Sequence, residues 1–179
     1  MNIVWLMLSF LPLQFQQPAQ STPEAAVTAY YASFSKLDWH GCTKLMSQPA
    51  LDEMKKAFLA IAHKPEAQKT VLALLKKQSM AEVDRLSGAQ IVEGVLAAIL
   101  PENGPSAPFL KQMKVDVLGH VNEGDTAHVV IRMRMPEDGD RKTNATVQSV
   151  DKIGNQWWLR IPSEIMGGLN TIVSRQPNR

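Results

Sequence analysis

The side chains with the most distinctive chemistry in this 179-residue chain are four histidines, one cysteine and a scatter of arginines and tryptophans near its end. A structural or catalytic zinc ion asks for closely spaced His, Cys or acidic ligands, such as two histidines one helical turn apart. His40, His63, His120 and His128 show no such spacing, so no metal site is expected. Cys42 follows His40 by two positions, but a thiolate nucleophile needs an imidazole beside it in space rather than in sequence. The simpler role for Cys42 is a small buried apolar side chain. A lone cysteine also excludes an intramolecular disulfide. No G-x-G-x-x-G, P-loop or G-x-S-x-G pattern occurs, and no cofactor is expected. The sequon Asn144-Ala145-Thr146 matters only in a eukaryotic secretory pathway.

Charge narrows the partners. The net charge is +2, and Lys55, Lys56, Lys64, Lys69, Lys76 and Lys77 are interspersed with Asp52, Glu53 and Glu66. No aromatic residue interleaves these lysines to stack on bases, so they read as solvated helix faces and no nucleic acid is expected. The second basic set is different. In "TAHVVIRMRM" and "QWWLRI" basic and aromatic residues alternate with apolar ones. Strand neighbours point to opposite faces. His128, Arg132, Arg134, Trp158 and Arg160 therefore share one sheet face, and Trp157, Leu159 and Ile161 the other. Arg and Trp are enriched at interface centres. The expected occupant of that outer face is a second copy in a homodimer, another partner, or this chain's own terminal helix; the plainer alternative is a solvated face where arginine stems cover the indole.

The elements that position these residues fall into two blocks. In "STPEAAVTAYYASFSK" Ser21 or Thr22 caps a helix, Pro23 occupies its first turn, and Ala26, Val27, Tyr30, Tyr31 and Phe34 recur at helical spacing. The helix stops between Lys36 and Asp38, and a short second helix runs through Leu45 and Met46. "LDEMKKAFLAIAH" and "PEAQKTVLALLKKQ" are two further amphipathic helices. Ser79–Glu82 and Ser87–Gln90 are capping boxes, the second leading into "IVEGVLAAIL", where Gly94 weakens the pattern. "PENGPSAP" is a loop by composition. Behind it the period becomes two. The predicted strands are Lys114–Val121, Thr126–Met135, Lys142–Ile153 and Gln156–Ile161, with Val115, Val117 and Val121 facing the helices and Asp116 facing away. "SEIMGGLNTIVS" suggests a terminal helix over 163–175. The fold class is α+β, with N-terminal helices on one face of a curved four-stranded antiparallel meander.

"AVTAYYASFSKLDWHGCTKLMS" and "VQSVDKIGNQWWLRIP", with "VLGHVNEGDTAHVVIRMRM" between them, resemble the opening helices, middle strands and closing hairpin of the nuclear transport factor 2-like superfamily. The resemblance covers residues 22–162, with residues 55–100 as extra helices. It implies a sheet curled around the first helix into a cone that encloses an apolar cavity, lined here by Tyr30, Phe34, Trp157 and Leu159. Members include isomerases and cyclases as well as non-enzymatic binding domains, and fold alone does not choose between them. An enzyme of the isomerase type would set Tyr30 or Tyr31 as oxyanion donor with Asp38 or His40 as base. Asp38, at a helix break, is more simply an N-cap.

The first twenty residues stand apart. The uncharged run Ile3–Leu13 is too short to span a bilayer and has the length of a signal-peptide core, with cleavage expected near Ala19. The expectation is thus an exported domain over 21–179 that binds a small apolar ligand or a protein partner without catalysing a reaction.

Overall fold

Thr22 and Pro23 start the chain's first helix in the computed structural model, which describes residues 20–134 and 144–161. The Thr22 hydroxyl accepts the Ala25 N–H at 3.1 Å, and α1 runs Pro23–Ser35. Leu37 then takes a left-handed backbone (φ 60°) that ends the helix and drops its side chain into a small satellite cluster with Ala107 and Leu110. Such a conformation is uncommon for leucine and persists because burial over-determines it. Asp38 caps the short α2 (Trp39–Thr43), accepting the Gly41 N–H at 2.8 Å. This helix stops short of Met46, which is drawn instead into an extended bridge with Leu159.

Helices α3 (Gln48–Ala62), α4 (Pro65–Leu75), α5 (Met80–Asp84) and α6 (Gly88–Ile99) follow. Ser47, Ser79 and Ser87 each cap a helix with their hydroxyl. The Ser87–Gln90 box is complete, whereas Glu82 turns its carboxylate to the Gln78 N–H, leaving the Ser79 box one-sided. A short helix, α7 (Ala107–Gln112), occupies part of the stretch expected to be loop. The sheet is a meander in the order β1 (Lys114–Glu123), β2 (Thr126–Arg134), β3 (Asn144–Ile153) and β4 (Gln156–Leu159), all pairs antiparallel. The hairpin into β4 turns on Gly154 at φ 63°. The predicted terminal helix, the N-terminal export segment and Met135 lie outside the described residues.

The architecture is α+β, an open curved sheet with helices packed against it. Helix α1 lies across all four strands. Ala26, Val27 and Tyr30 meet Ala127, Val129, Ile131, Val150 and Leu159 in one core that continues through Phe58, Val71, Ile91 and Val95 of the other helices. Helix α6 approaches α3 so closely that a Cβ on Gly88 would lie 2.1 Å from the Leu51 carbonyl oxygen.

One expectation about strand faces fails. The register of β1 on β2 shifts between Val117 and Gly119, and Leu118 is the extra residue of a bulge. A one-residue slip moves every later side chain to the opposite face. Val121, expected against the helices, is therefore 66% exposed, and His120 instead reaches Glu24 on α1. His120 and His128 consequently lie on opposite faces.

Candidate functional site: clefts beside strand β4

Strand β4 separates its two tryptophans as alternation requires. Trp157 and Leu159 are buried on the helix side, with the Lys152 ammonium 5.8 Å from the Trp157 ring centroid. Trp158 and Arg160 point the other way. The outer edge of β4 is sealed by two distant pieces of chain. Trp157 N–H donates to the Gln20 carbonyl at 2.9 Å, Leu159 N–H to the Leu45 carbonyl at 2.9 Å, and Ser47 N–H to the Leu159 carbonyl at 3.3 Å. This pairing brings Ser47 and Pro49 alongside Trp158 and Arg160, and both residues line the two clefts found there.

The first cleft, of ≈ 450 Å³, has Trp158, Ile153, Met46 and Leu51 as its apolar wall. The polar side comes from α2 and α6. The Glu93 carboxylate accepts the Thr43 hydroxyl at 2.7 Å and faces His40 Nδ1 at 2.9 Å. A carboxylate only accepts, so Nδ1 carries the proton and Nε2 of the neutral ring is left as the acceptor nitrogen. Lys44, at the same cleft, makes no ion pair among the described residues. The Trp158 indole Nε1 is buried and finds no acceptor among them. The volume and the mixture of apolar wall and few polar groups suit a small ligand.

The second cleft, of ≈ 590 Å³, is lined by Glu53, Met54, Ala57, Asp151 and Arg160. Two of its charges, Asp151 and Arg160, are already engaged with each other. Arg160 Nε donates to Asp151 Oδ2 at 2.7 Å, Thr126 Oγ1 donates to Asp151 Oδ1 at 2.8 Å, and Arg160 donates to Thr126 Oγ1 at 3.1 Å. Burial pushes the Asp151 carboxyl up, but the hydrogen bonds from Arg160 and Thr126 and the charges of Arg160 and His128 outweigh it and hold it below its ordinary value. His128 Nδ1 lies 3.0 Å from the Ser149 hydroxyl and its Nε2 3.2 Å from Glu123. Arg134 pairs with Asp116. The face predicted as basic is thus largely neutralised by its own acids, and of the named set Arg132 and the Trp158 indole lack a polar partner among the described residues.

The residues suggested for an isomerase-type centre are scattered. Tyr30 is 2% exposed and packs edge-on to Tyr31 and against Phe34 within the core. Asp38 is exposed and engaged as the α2 cap, and His40 is turned to Glu93. Tyr30, Phe34, Trp157 and Leu159 belong to the packed core, and none of them lines either cleft. Cys42 is buried, and burial, with the Asp38 charge adding to it, pushes its thiol up to about 12, which makes it unreactive. Among the described residues there is no group of three or more potential metal ligands and no helix long and apolar enough to cross a membrane. Comparisons with protein-family models, curated proteins and solved structures return no match to this chain. Glu93, Thr43 and Lys44 are the site residues that sequence reasoning missed. Their spacing from Trp158 carries no local signal, because pairing of residues 45–47 with β4 is what assembles them.

Proposed function

We propose that this chain is an exported, non-enzymatic binding domain of the nuclear transport factor 2-like kind, and that it takes a small apolar molecule with a carboxylate end in the cleft between α2 and β4. The element order, with an aromatic first helix, a break, a short helix and a meander curved around α1, supports the family reading. The observation that carries the ligand reading is the cleft itself, where the Trp158 and Ile153 side chains lie beside a Lys44 ammonium that makes no ion pair among the described residues. The apolar wall takes a hydrocarbon body, and the Lys44 ammonium favours an anionic head. Asp38 is engaged as the α2 cap and His40 with Glu93, which argues against the isomerase reading.

The test is calorimetric titration with octanoate and with octanol, alongside tryptophan fluorescence. Octanoate should bind more tightly, and Lys44→Glu should weaken it at least about tenfold, equivalent to about 1.4 kcal/mol. Trp158→Phe should remove most of the fluorescence change. Equal affinity for the acid and the alcohol, or an unchanged affinity in Lys44→Glu, would refute the anionic-head reading. Absence of binding to either would refute the cleft as an apolar ligand site.

A further inference from the structure

We propose, resting on the anionic-head reading of the cleft between α2 and β4, that its ligand is a 3-hydroxy alkanoic acid. The carboxylate meets Lys44 and the hydroxyl donates to His40 Nε2. Both residues line the cleft, and they stand four apart on α2 and its C-cap, where the Lys44 N–H still donates to the His40 carbonyl at 3.1 Å. Residues so spaced are neighbours on one helix face. The two side chains offer opposite halves of a hydrogen bond. The Lys44 ammonium only donates. The His40 ring is set the other way. Its Nδ1 faces Glu93 Oε1 at 2.9 Å, and the same oxygen accepts the Thr43 hydroxyl at 2.7 Å. With the proton on Nδ1, Nε2 is an acceptor that meets no donor among the described residues.

A plain fatty acid satisfies only half of this arrangement. Its carboxylate accepts and cannot donate, so beside a neutral His40 it sets lone pair against lone pair. Glu93 adds a negative charge at the same cleft. A hydroxyl close to the carboxylate resolves the conflict, because it donates to Nε2 and leaves the carboxylate to Lys44. The Cβ atoms of residues four apart on a helix are about 5–6 Å from each other. A hydroxyl two carbons along from the carboxylate carbon suits that spacing. The apolar wall makes the demand selective: a hydroxyl brought against Trp158, Ile153, Met46 and Leu51 loses water, which weakens binding unless an acceptor is in place. Chain, carboxylate and hydroxyl are each held by a different group, so one hand of the third carbon satisfies all three and its mirror image does not. The His40 side chain is 67% exposed, which places the head at the mouth of the cleft and keeps the gain to a few-fold.

Calorimetric titration of the full chain with octanoate and with the two mirror-image 3-hydroxyoctanoates tests this, at pH 8, above the range in which an imidazole ordinarily takes up a proton. One hydroxy acid should bind at least about threefold more tightly than octanoate and than its mirror image. In His40→Phe, which keeps a flat ring and removes the acceptor, the two mirror images should bind alike. His40→Gln, which restores an acceptor, should recover part of the preference. The comparison of mirror images in the parent chain stands whatever the variants do. Octanoate binding with no gain from either hydroxy acid would overturn the proposal and leave the anionic-head reading intact. A preference that survives in His40→Phe would overturn the role given to His40. If none of the three acids binds, the cleft is not the ligand site and the proposal falls with it.

Discussion

Asp151 ties three strands together from a position opposite both Thr126 and Trp158. Its carboxylate is held by Arg160 and Thr126 and lies below its ordinary pKa. For a carboxyl whose folded value is depressed, the stabilisation is present above the unfolded value and is lost as pH falls through the folded one. Asp151→Asn should therefore cost about 1 kcal/mol at neutral pH, after allowing for the partial exposure of the pair. The gap to the parent should close as pH drops below about 4. Urea unfolding at several pH values measures this, and a gap that stays constant down to pH 3 would assign the loss to shape rather than charge. Glu24 behaves in the same sense: burial opposes the shift, while a hydrogen bond to its own backbone and the contact with His120 lower it. The two tryptophans show how far single residues are legible in sequence. Alternation correctly places Trp157 inward and Trp158 outward. What lies against Trp158 was not legible, because the 46–49 segment reaches it only through pairing with Leu159.

At the level of elements, two glycines of α6 look alike in sequence and differ in consequence. A Cβ at Gly88 meets the Leu51 carbonyl oxygen at 2.1 Å, and backbone has little freedom to retreat. A Cβ at Gly94 meets only the tip of Leu75, at 2.8 Å. Gly88→Ala should thus destabilise by about 2 kcal/mol or more through forced separation of α3 and α6. Gly94→Ala should be near neutral, since a leucine tip can move and alanine gains up to about 1 kcal/mol of helix propensity. Equal losses in chemical denaturation would show that helix spacing does not decide the difference. Local chemistry made most helix starts readable, because the Thr22, Asp38, Ser79 and Ser87 caps act within three or four residues. Helix α7 was missed for the converse reason: it has one to two turns, in a segment dominated by Pro and Gly, and is held by Leu110 and Ala107 against Leu37. The bulge at Leu118 has no local signature, and overlooking it reversed the face assigned to Val121.

Taken whole, the molecule has no seam between its helical and sheet portions, since one buried cluster runs from Val150 and Leu159 through Tyr30 to Ile91 and Val71. In the chain carrying Trp5→Phe and Trp39→Phe, unfolding followed by tryptophan fluorescence, which then senses only Trp157 and Trp158 in the sheet, should coincide with unfolding followed by far-UV circular dichroism, dominated by the helices. Two separated transitions would mean that the helices fold as a unit of their own. The seal along β4 has a different bearing. An open sheet offers a template on each side for the strand of another molecule. Here Gln20 and Leu45–Ser47 already occupy the hydrogen-bonding positions of β4, so among the described residues the edge left for stacking of molecules strand upon strand is β1. There the kink at Leu118 and Gly119 interrupts the row of backbone donors and acceptors, and Lys114, Asp116 and Glu123 set charges along it. The pieces of chain that shape the clefts therefore also keep the sheet from being extended by its neighbours.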